Sequence, residues 1–194
     1  MLEELEKYAR QNYIPVLLDD TKDLLLKTIK EFNPKTILEI GTAVGYSGTL
    51  MLSTCDAVLT TIELEEKNIE LAKSTFTSNN VYDRVTQLKG DAKEIIPTLN
   101  SKFDFIFLDG PKGQYINYLP YLKNLLSDGG VIFADNVLYR GMVESTEFIP
   151  HKKRTIVVNL RKYLNEVTTS NDLETTVYHI GDGVAISKKI NTQG

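Results

Sequence analysis

The run FDFIFLDG, residues 103–110, decides how the chain folds, because an apolar, β-rich segment ends on an acid that glycine follows at once. A buried strand gains nothing from a carboxylate at its tip, whereas a binding site does. Similar runs recur along the chain: TILEI (36–40), AVLTTIE (57–63), VTQLK (85–89) and GGVIFAD (129–135). The pattern predicts a sheet whose strand ends hold the functional residues.

Segments with helical spacing lie between these runs, as in EEKNIELAKSTF (65–76) and YINYLPYLKNLL (115–126). This alternation predicts an α/β fold with a Rossmann-like, mostly parallel sheet and helices on both faces, because parallel strands need crossover connections. Two final runs, LETTVYHI (173–180) and GVAISKK (183–189), are separated only by the Gly181-Asp182-Gly183 turn. They predict an antiparallel hairpin at one edge of the sheet.

Composition limits the class of protein. The 194 residues are 42% hydrophobic and contain no linker or repeat, so we expect one domain over 1–194, with a helical lid segment in 1–30 and a core in 36–190. A net charge of −4 argues against a nucleic-acid-coating protein and requires a local patch for any such contact. Cys55 is the only cysteine, which excludes an intramolecular disulfide and fits a cytoplasmic setting. No apolar run is long enough to predict a membrane span.

The first three strand ends have the features of a cofactor site. GTAVGYS, residues 41–47, follows the first strand, and its glycines allow a tight turn and close approach of a ligand. Glu63 ends the second strand about 20 residues further on, where nucleotide-binding α/β folds place an acid on ribose hydroxyls. Asp91 follows the third strand. An adenosine-containing cofactor fits these turns, although a structural glycine turn and a helix-capping role for Glu63 remain open.

The next two strand ends favour a cation site. Asp109 ends one run and Asp135-Asn136 ends the other, so neighbouring parallel strands would bring their oxygen ligands together. Oxygen ligands without histidine or cysteine favour a hard cation such as Mg²⁺. Lys112 would lose its proton more easily beside such a cation, which makes it a candidate general base. The alternative is that the acids cap helices and that the lysine is a solvated surface residue.

Five stretches together resemble the cation-dependent O-methyltransferases related to catechol and caffeoyl-CoA O-methyltransferases: LEIGTAVGYS, TIELEEKNIELA, GDAKEIIP, FIFLDGPKGQY and ADNVLYRGMV. The resemblance runs from about Tyr13 to Lys189. Within the family, the KGQY, DNVLYRG and GDGVAISKK stretches are most similar to the bacterial tRNA 5-hydroxyuridine methyltransferases. The resemblance implies a seven-stranded sheet, S-adenosylmethionine as methyl donor, Mg²⁺ or another divalent cation, and a homodimer.

The resemblance also implies roles for single residues. The implied donor-binding residues are Leu17, which would close over the donor, Glu39, Gly41, Tyr46 and Ser47 around the glycine loop, Glu63 at the ribose, Asp91 and Ala92 near the adenine, and Asp109. Asp109, Asp135 and Asn136 match metal ligands, and Lys112 matches the general base, with Asp109 beside it in the catalytic site. The short chain before the NYIP segment (12–15) departs from many relatives and leaves the lid and dimer details open.

The acceptor has to be inferred from other residues, because catechols and 5-hydroxyuracil both offer two neighbouring oxygens. HKKRTIVVNLRKYLNE, residues 151–166, is basic in an otherwise acidic chain, and its cluster includes His151, Arg161 and Lys162. We expect Arg140, Lys152, Lys153 and Arg154 to contact the phosphates of a tRNA anticodon loop, at whose wobble position 5-hydroxyuridine would be methylated. A solvated helix face is the plainer interpretation, and Tyr139 could stack on a base or simply pack. A small catechol-like or phenolic acceptor is the alternative, and a non-enzymatic donor-binding protein is a third hypothesis that leaves Lys112 without a task.

Overall fold

The computed structural model describes residues 6–7, 11 and 16–190. Seven strands form one mixed sheet, so the predicted fold class is confirmed. Across the sheet they follow the order Val85–Lys89, Val58–Glu63, Thr36–Ile40, Phe103–Leu108, Leu126–Asp135, Val184–Lys189 and Leu173–Tyr178. The chain divides into two compact units, Met1–Ile95 and Ile96–Gly194, each of which is described by itself, and the single domain stays a prediction. Among the described residues, no helix has the length and apolarity that a membrane crossing requires.

The first unit contains three parallel strands that are joined by helical connections. Its elements are α1 (Asp19–Phe32), β1 (Thr36–Ile40), α2 (Tyr46–Thr54), β2 (Val58–Glu63), α3 (Glu66–Ser78), a 3₁₀ turn (Tyr82–Arg84), β3 (Val85–Lys89) and the short α4 (Ala92–Ile95). Ile40 lies beside Ile62 and Glu63 beside Lys89, so the strands end at the same edge. Much of the predicted lid segment, including NYIP, lies outside the described residues.

The second unit contains the remaining strands. A 3₁₀ turn (Ile96–Thr98) precedes β4 (Phe103–Leu108), a second 3₁₀ turn (Lys112–Gln114) leads into α5 (Tyr115–Leu125), and β5 (Leu126–Asp135), α6 (His151–Thr169), β6 (Leu173–Tyr178) and β7 (Val184–Lys189) follow. β4 and β5 are parallel, whereas β7 runs antiparallel to both β5 and β6. The C-terminal hairpin is therefore where the sequence predicts it.

One strand boundary differs from the prediction. β5 begins at Leu126 rather than at Gly129, because the strand continues through an irregularity at which Phe103 lies beside Leu126 but Phe105 beside Val131. Gly129 has φ +73°, a conformation that glycine adopts without strain. The sequence shows the glycines as a boundary, whereas in the structure they form a bulge inside the strand.

Apolar side chains from strands and helices fill the interior of each unit. Buried residues of the first unit include Leu25, Ile37, Leu38, Met51 and Phe76. In the second unit the Phe133 ring lies 6.2 Å from the Phe105 ring and 5.7 Å from the Phe107 ring, centroid to centroid. Each core fixes the strands whose ends carry the predicted site residues of its own unit.

Candidate active site

The glycine loop of the first unit has the backbone that its sequence demands. Gly41, Ala43 and Gly45 all have positive φ, at 97°, 45° and 78°. A Cβ atom added to Gly45 would stand 3.1 Å from atoms of Ala72 and Phe76, so only glycine fits both the conformation and the space. The loop thus turns sharply at the end of β1 and leads directly into α2.

Glu39 is a fully buried carboxylate beneath this loop. Its Oε1 accepts a hydrogen bond from the Ser47 hydroxyl (2.5 Å), and its Oε2 accepts one from the Thr61 hydroxyl (2.6 Å). Because Thr61 has one hydroxyl proton, Thr42 must donate in the 2.5 Å contact between the two threonines. The sequence points to Glu39 and Ser47 only through the family resemblance, and it misses both threonines, although Thr61 lies on the strand face that alternation predicts to be buried.

Glu63 connects the end of β2 to the glycine loop. Its Oε2 accepts the Ala43 N–H (2.8 Å), and its Oε1 accepts the N–H groups of Leu64 (3.0 Å) and Glu65 (2.9 Å). All three donors lie outside α3, which begins at Glu66, so these bonds do not support the helix-capping alternative. Its side chain is only half-buried, and carboxylate oxygens have further lone pairs that ribose hydroxyls could use.

The other predicted donor-binding residues of the first unit differ in environment. Leu17 and Ala92 are buried, at 4% and 9% exposed. Tyr46 is buried and donates from its hydroxyl to Glu6 (2.5 Å); burial and this bond raise the pKa of Tyr46 to about 12. Asp91 is exposed and accepts the Lys93 N–H at 2.9 Å, so in this structure it caps α4.

The ends of β4 and β5 lie side by side in the second unit. The two strands pair as far as Leu108 and Ala134, the residues that immediately precede Asp109 and Asp135. The two acids therefore follow paired positions of adjacent parallel strands, as the sequence predicts. Lys112 donates to Asp109 Oδ1 at 2.6 Å, with 25% of the lysine side chain and 29% of the aspartate side chain exposed.

Both carboxylates are destabilised in their charged form. Burial and, second to it, the Asp109 carboxylate raise the pKa of Asp135 to about 7, because the Asn136 N–H (2.7 Å) and Lys112 only partly oppose them. Desolvation likewise raises the pKa of Asp109, although the Lys112 ammonium works against it. Two acids near one lysine thus leave excess negative charge in a region with little water.

Asn136 begins a loop with an unusual backbone. Asn136, Tyr139 and Arg140 all have positive φ, at 58°, 45° and 58°, although none is glycine. The hairpin turn supports this loop, because Leu138 N–H donates to the Asp182 carbonyl at 2.9 Å. Gly183 packs so closely that an added Cβ would overlap the Leu138 side chain. Non-glycine residues with positive φ persist where surrounding structure holds them, often at functional sites.

The basic cluster divides into two groups with different surroundings. His151, Lys152, Lys153 and Arg154 are exposed in the first turn of α6, which contains no acidic residue. Arg161 instead donates to the carbonyls of Val143 (2.7 Å), Met142 (3.3 Å) and Ser145 (2.6 Å). The prediction that Arg161 shares a phosphate-facing cluster is therefore not supported, because its guanidinium already binds backbone carbonyls.

The residues at the ends of β4 and β5 suit a divalent cation. Within the described part of the chain, no three His, Cys, Asp or Glu side chains form a metal-binding group, and the predicted set is two carboxylates with the Asn136 amide. A dication would offset the repulsion that raises the pKa of both acids. Hard oxygen ligands in small number fit Mg²⁺, which retains water or substrate oxygens.

The fold and the strand-end residues together define a class I methyltransferase-type α/β protein, and comparisons with known proteins agree. Residues 1–190 match the family model described as O-methyltransferase. Caffeoyl-CoA O-methyltransferase 1 from Eucalyptus globulus is 29% identical over 89% of this chain and 74% of that protein. A provisionally named caffeoyl-CoA O-methyltransferase from Staphylococcus aureus has a TM-score of 0.90 at 34% identity, covering 97% of this chain and 91% of that one.

A third relative was solved with the methyl donor bound. The O-methyltransferase TomG from Streptomyces achromogenes, in complex with SAM, has a TM-score of 0.86 at 26% identity and covers 97% of this chain and 89% of its own. The chain therefore belongs to the O-methyltransferase family, enzymes that transfer a methyl group from S-adenosylmethionine to an oxygen atom.

Proposed function

We propose that the protein is a divalent-cation-dependent, S-adenosylmethionine-dependent O-methyltransferase that methylates 5-hydroxyuridine at the wobble position of tRNA. The observation that supports the chemistry is the pair of carboxylates, Asp109 and Asp135, at adjacent strand ends, with Lys112 at 2.6 Å from the first. Mg²⁺ is the cation that these oxygen ligands favour. Asp109, Asp135 and Asn136 would hold it.

The roles of the chain's residues follow from their surroundings. A divalent cation, when bound, supplies positive charge that favours loss of a proton from an acceptor hydroxyl. Lys112, after release of its own proton to solvent, is the group that would receive this proton, and Asp109 orients its amine. In the first unit, the glycine loop and Glu63 would hold the methyl donor, with Glu39 fixing the loop through Ser47. No residue needs to form a covalent bond to the methyl group, so alignment and charge stabilisation carry the catalysis.

Charge in the first turn of α6 supports a polyanionic acceptor. Helix N-termini favour acidic residues, because unpaired N–H groups give them partial positive charge. Here that turn has four exposed basic or titratable residues, His151 to Arg154, and no acid. Such a turn is unfavourable for the isolated helix but would suit a phosphate backbone.

Aromatic groups next to this turn suit an unpaired base. The Lys153 ammonium lies 2.9 Å from the Tyr139 hydroxyl and 5.4 Å from the centre of its ring. Phe148, just before α6, is 82% exposed, the largest value among the large hydrophobic residues that the structure describes as exposed. Aromatic rings that reach solvent near positive charge are typical of surfaces that bind single-stranded RNA, in which unpaired bases can stack.

A small catechol-like or phenolic acceptor is the second candidate. It is favoured by the names of the relatives, which include caffeoyl-CoA O-methyltransferases from several plants. Such an acceptor needs the same two neighbouring oxygens but does not need the basic turn. Methylation of a free catechol would then equal or exceed that of tRNA and would depend little on salt.

The deciding experiment compares acceptors. Purified protein, isotopically labelled donor and Mg²⁺ are incubated with tRNA that lacks the modification or with a catechol, each with and without EDTA. Mass analysis of the nucleosides should show 5-methoxyuridine only when the cation is present. Turnover of the catechol alone would contradict the tRNA acceptor. Turnover that EDTA does not inhibit would contradict the dependence on a divalent cation.

Charge reversal in the first turn of α6 tests whether this turn binds tRNA. Lys152→Glu combined with Arg154→Glu should lower tRNA methylation by roughly 100-fold. Its salt dependence should also become weaker, because tRNA binding releases fewer counterions when fewer phosphates are contacted. Catechol turnover and donor binding should stay unchanged. Lys162→Glu, at an exposed lysine later in α6, is the control for charge reversal on the same helix, with half the change in net charge. Equal losses in both variants would count against a localised tRNA surface.

A further inference from the structure

Tyr115, which no role above uses, is a fully buried tyrosine at the start of α5. Its hydroxyl lies 3.1 Å from the Leu108 carbonyl and 3.1 Å from the Asp135 carbonyl. One hydroxyl proton is thus shared between two acceptors on neighbouring strands. Buried carbonyls need such donors, because water cannot reach them.

The two carbonyls belong to the backbone that places the acidic pair. Leu108 is the last residue of β4 and immediately precedes Asp109, and Asp135 is the last residue of β5. The parallel ladder between the strands stops at Leu108 and Ala134. The Tyr115 hydroxyl therefore connects the strands where the ladder ends and the acids begin.

Two features make this connection suitable for holding charged groups. The Tyr115 hydroxyl is a phenol, which carries its proton at neutral pH and therefore remains a donor to both carbonyls. Repulsion between the two carboxylates would push the strand ends apart, and a shared donor on their backbones opposes that separation. Tyr115 itself is held by α5 and by an edge-on contact with the Tyr163 ring, 5.6 Å between centroids.

We propose that Tyr115 is a positioning residue that sets the separation of Asp109 and Asp135, and thereby the affinity and ion selectivity of the cation site. The inference rests on the proposed function, because it assumes that these acids bind a divalent cation. Selectivity is the sensitive property. Mg²⁺ requires near-ideal octahedral geometry at short distances, whereas Ca²⁺ accepts longer and more varied ones. If the two strand ends are less firmly held, the affinity for Mg²⁺ should therefore fall more than the affinity for Ca²⁺.

Tyr163 supplies a matched control. It is also fully buried and lies against Tyr115, but its hydroxyl has no hydrogen-bond partner among the residues that the structure describes. Tyr163→Phe and Tyr115→Phe each remove one buried oxygen from neighbouring rings. Only Tyr115→Phe removes a bond to the strand ends.

The test measures cation binding by the metal-free full chain, without catalysis. Mn²⁺ binding is followed by electron paramagnetic resonance, and Mg²⁺ and Ca²⁺ are added as competitors. Tyr115→Phe should weaken Mg²⁺ binding by about 10-fold or more but Ca²⁺ binding by less than about threefold, as expected for an outer residue that orients ligands. Tyr163→Phe should leave both affinities within about twofold of the wild type. Tyr115→4-aminophenylalanine, which keeps a donor in place, should restore the Mg²⁺ preference.

Each contrary outcome has a distinct meaning. A wild-type chain that binds no Mn²⁺ would overturn the proposed cation dependence and this inference with it. Wild-type binding together with an unchanged Mg²⁺ to Ca²⁺ ratio in Tyr115→Phe would overturn this inference alone. Parallel loss of Mg²⁺, Ca²⁺ and S-adenosylhomocysteine binding in Tyr115→Phe would show a general structural role and would also overturn it.

Discussion

The ends of β1 and β2 and the ends of β4 and β5 both place acids at strand tips, but they satisfy the acids in different ways. Glu39 and Glu63 accept hydrogen bonds from hydroxyl and backbone N–H groups of their own unit. Asp109 and Asp135 lie near each other with one lysine, and burial raises the pKa of both. The first arrangement is held by neutral donors, whereas the second carries negative charge that a bound cation would balance.

This difference explains why two kinds of ligand fit two kinds of strand end. Carboxylates that already accept neutral donors fix a loop and present their remaining lone pairs to hydroxyl groups. Carboxylates that repel each other bind a dication more favourably, because the bound ion cancels a repulsion that is already present in the folded chain. Perturbed acids of this sort are concentrated at functional sites. Single substitutions at either pair of strand ends test this difference.

The largest effect is expected from Asp135→Asn, which removes a charge but keeps the shape. Methyl transfer should fall by about 1,000-fold, equivalent to about 4 kcal/mol of transition-state stabilisation, and cation binding should weaken sharply. Binding of S-adenosylhomocysteine, followed by calorimetry, should not change. Asp128→Asn is the control, because Asp128 lies on the same strand with 75% of its side chain exposed. A variant that kept Mg²⁺-dependent turnover would remove Asp135 from the cation site.

The next effect concerns stability of the metal-free chain. Because the pKa of Asp135 is raised to about 7 in the folded state, the folded chain holds a proton that the unfolded chain has already lost above about pH 4. Stability should therefore decrease as pH rises from 4 to 7 and level off above it. In EDTA, the free energy of unfolding should fall by about 2 kcal/mol or more across this window, measured by urea denaturation.

Asp135→Asn separates this effect from other titrating groups. The difference in unfolding free energy between the variant and the wild type should be near zero at pH 4 and should favour the variant at pH 8. Mg²⁺ should stabilise the wild type at pH 8 and the variant much less, because binding to the folded state alone adds stability. Identical pH profiles for both chains would contradict the raised pKa.

A substitution at the ends of β1 and β2, where the methyl donor is proposed to bind, should have a smaller effect. Glu63→Gln turns an amide NH₂ toward backbone N–H groups that the carboxylate now accepts, which loosens the glycine loop at Ala43. We expect S-adenosylhomocysteine affinity to fall by about 10-fold, or about 1.4 kcal/mol, with Mn²⁺ binding unchanged. Glu65→Gln, at an exposed position two residues later, should alter neither. Coupled loss of donor and cation binding in Glu63→Gln would show that the two ends are not independent.

Strand ends were predictable from the sequence, but the bonds that organise them were not. Apolar runs that end in Asp109 and Asp135 show where polar groups leave the core, and parallel pairing then brings the two acids together. Thr61 bonds Glu39 across 22 positions, and the Tyr115 hydroxyl bonds Asp135 across 20, yet periodicity reveals only which face is buried. Charge counting likewise groups Arg161 with its neighbours, since it does not reveal the carbonyls nearby.

The smallest effect is expected from Arg161→Ala, in the second unit. The guanidinium holds three carbonyls of the 142–145 segment, which continues from the loop that Asn136 begins. Its removal should lower the free energy of unfolding by about 1 kcal/mol, because bonds at an exposed edge are partly replaced by water. Arg154→Ala should leave stability unchanged but lower tRNA methylation more. If Arg161→Ala instead lowered tRNA methylation as much as Arg154→Ala did, without destabilising the chain, Arg161 would return to the phosphate-facing group, and its carbonyl bonds would be incidental to its function.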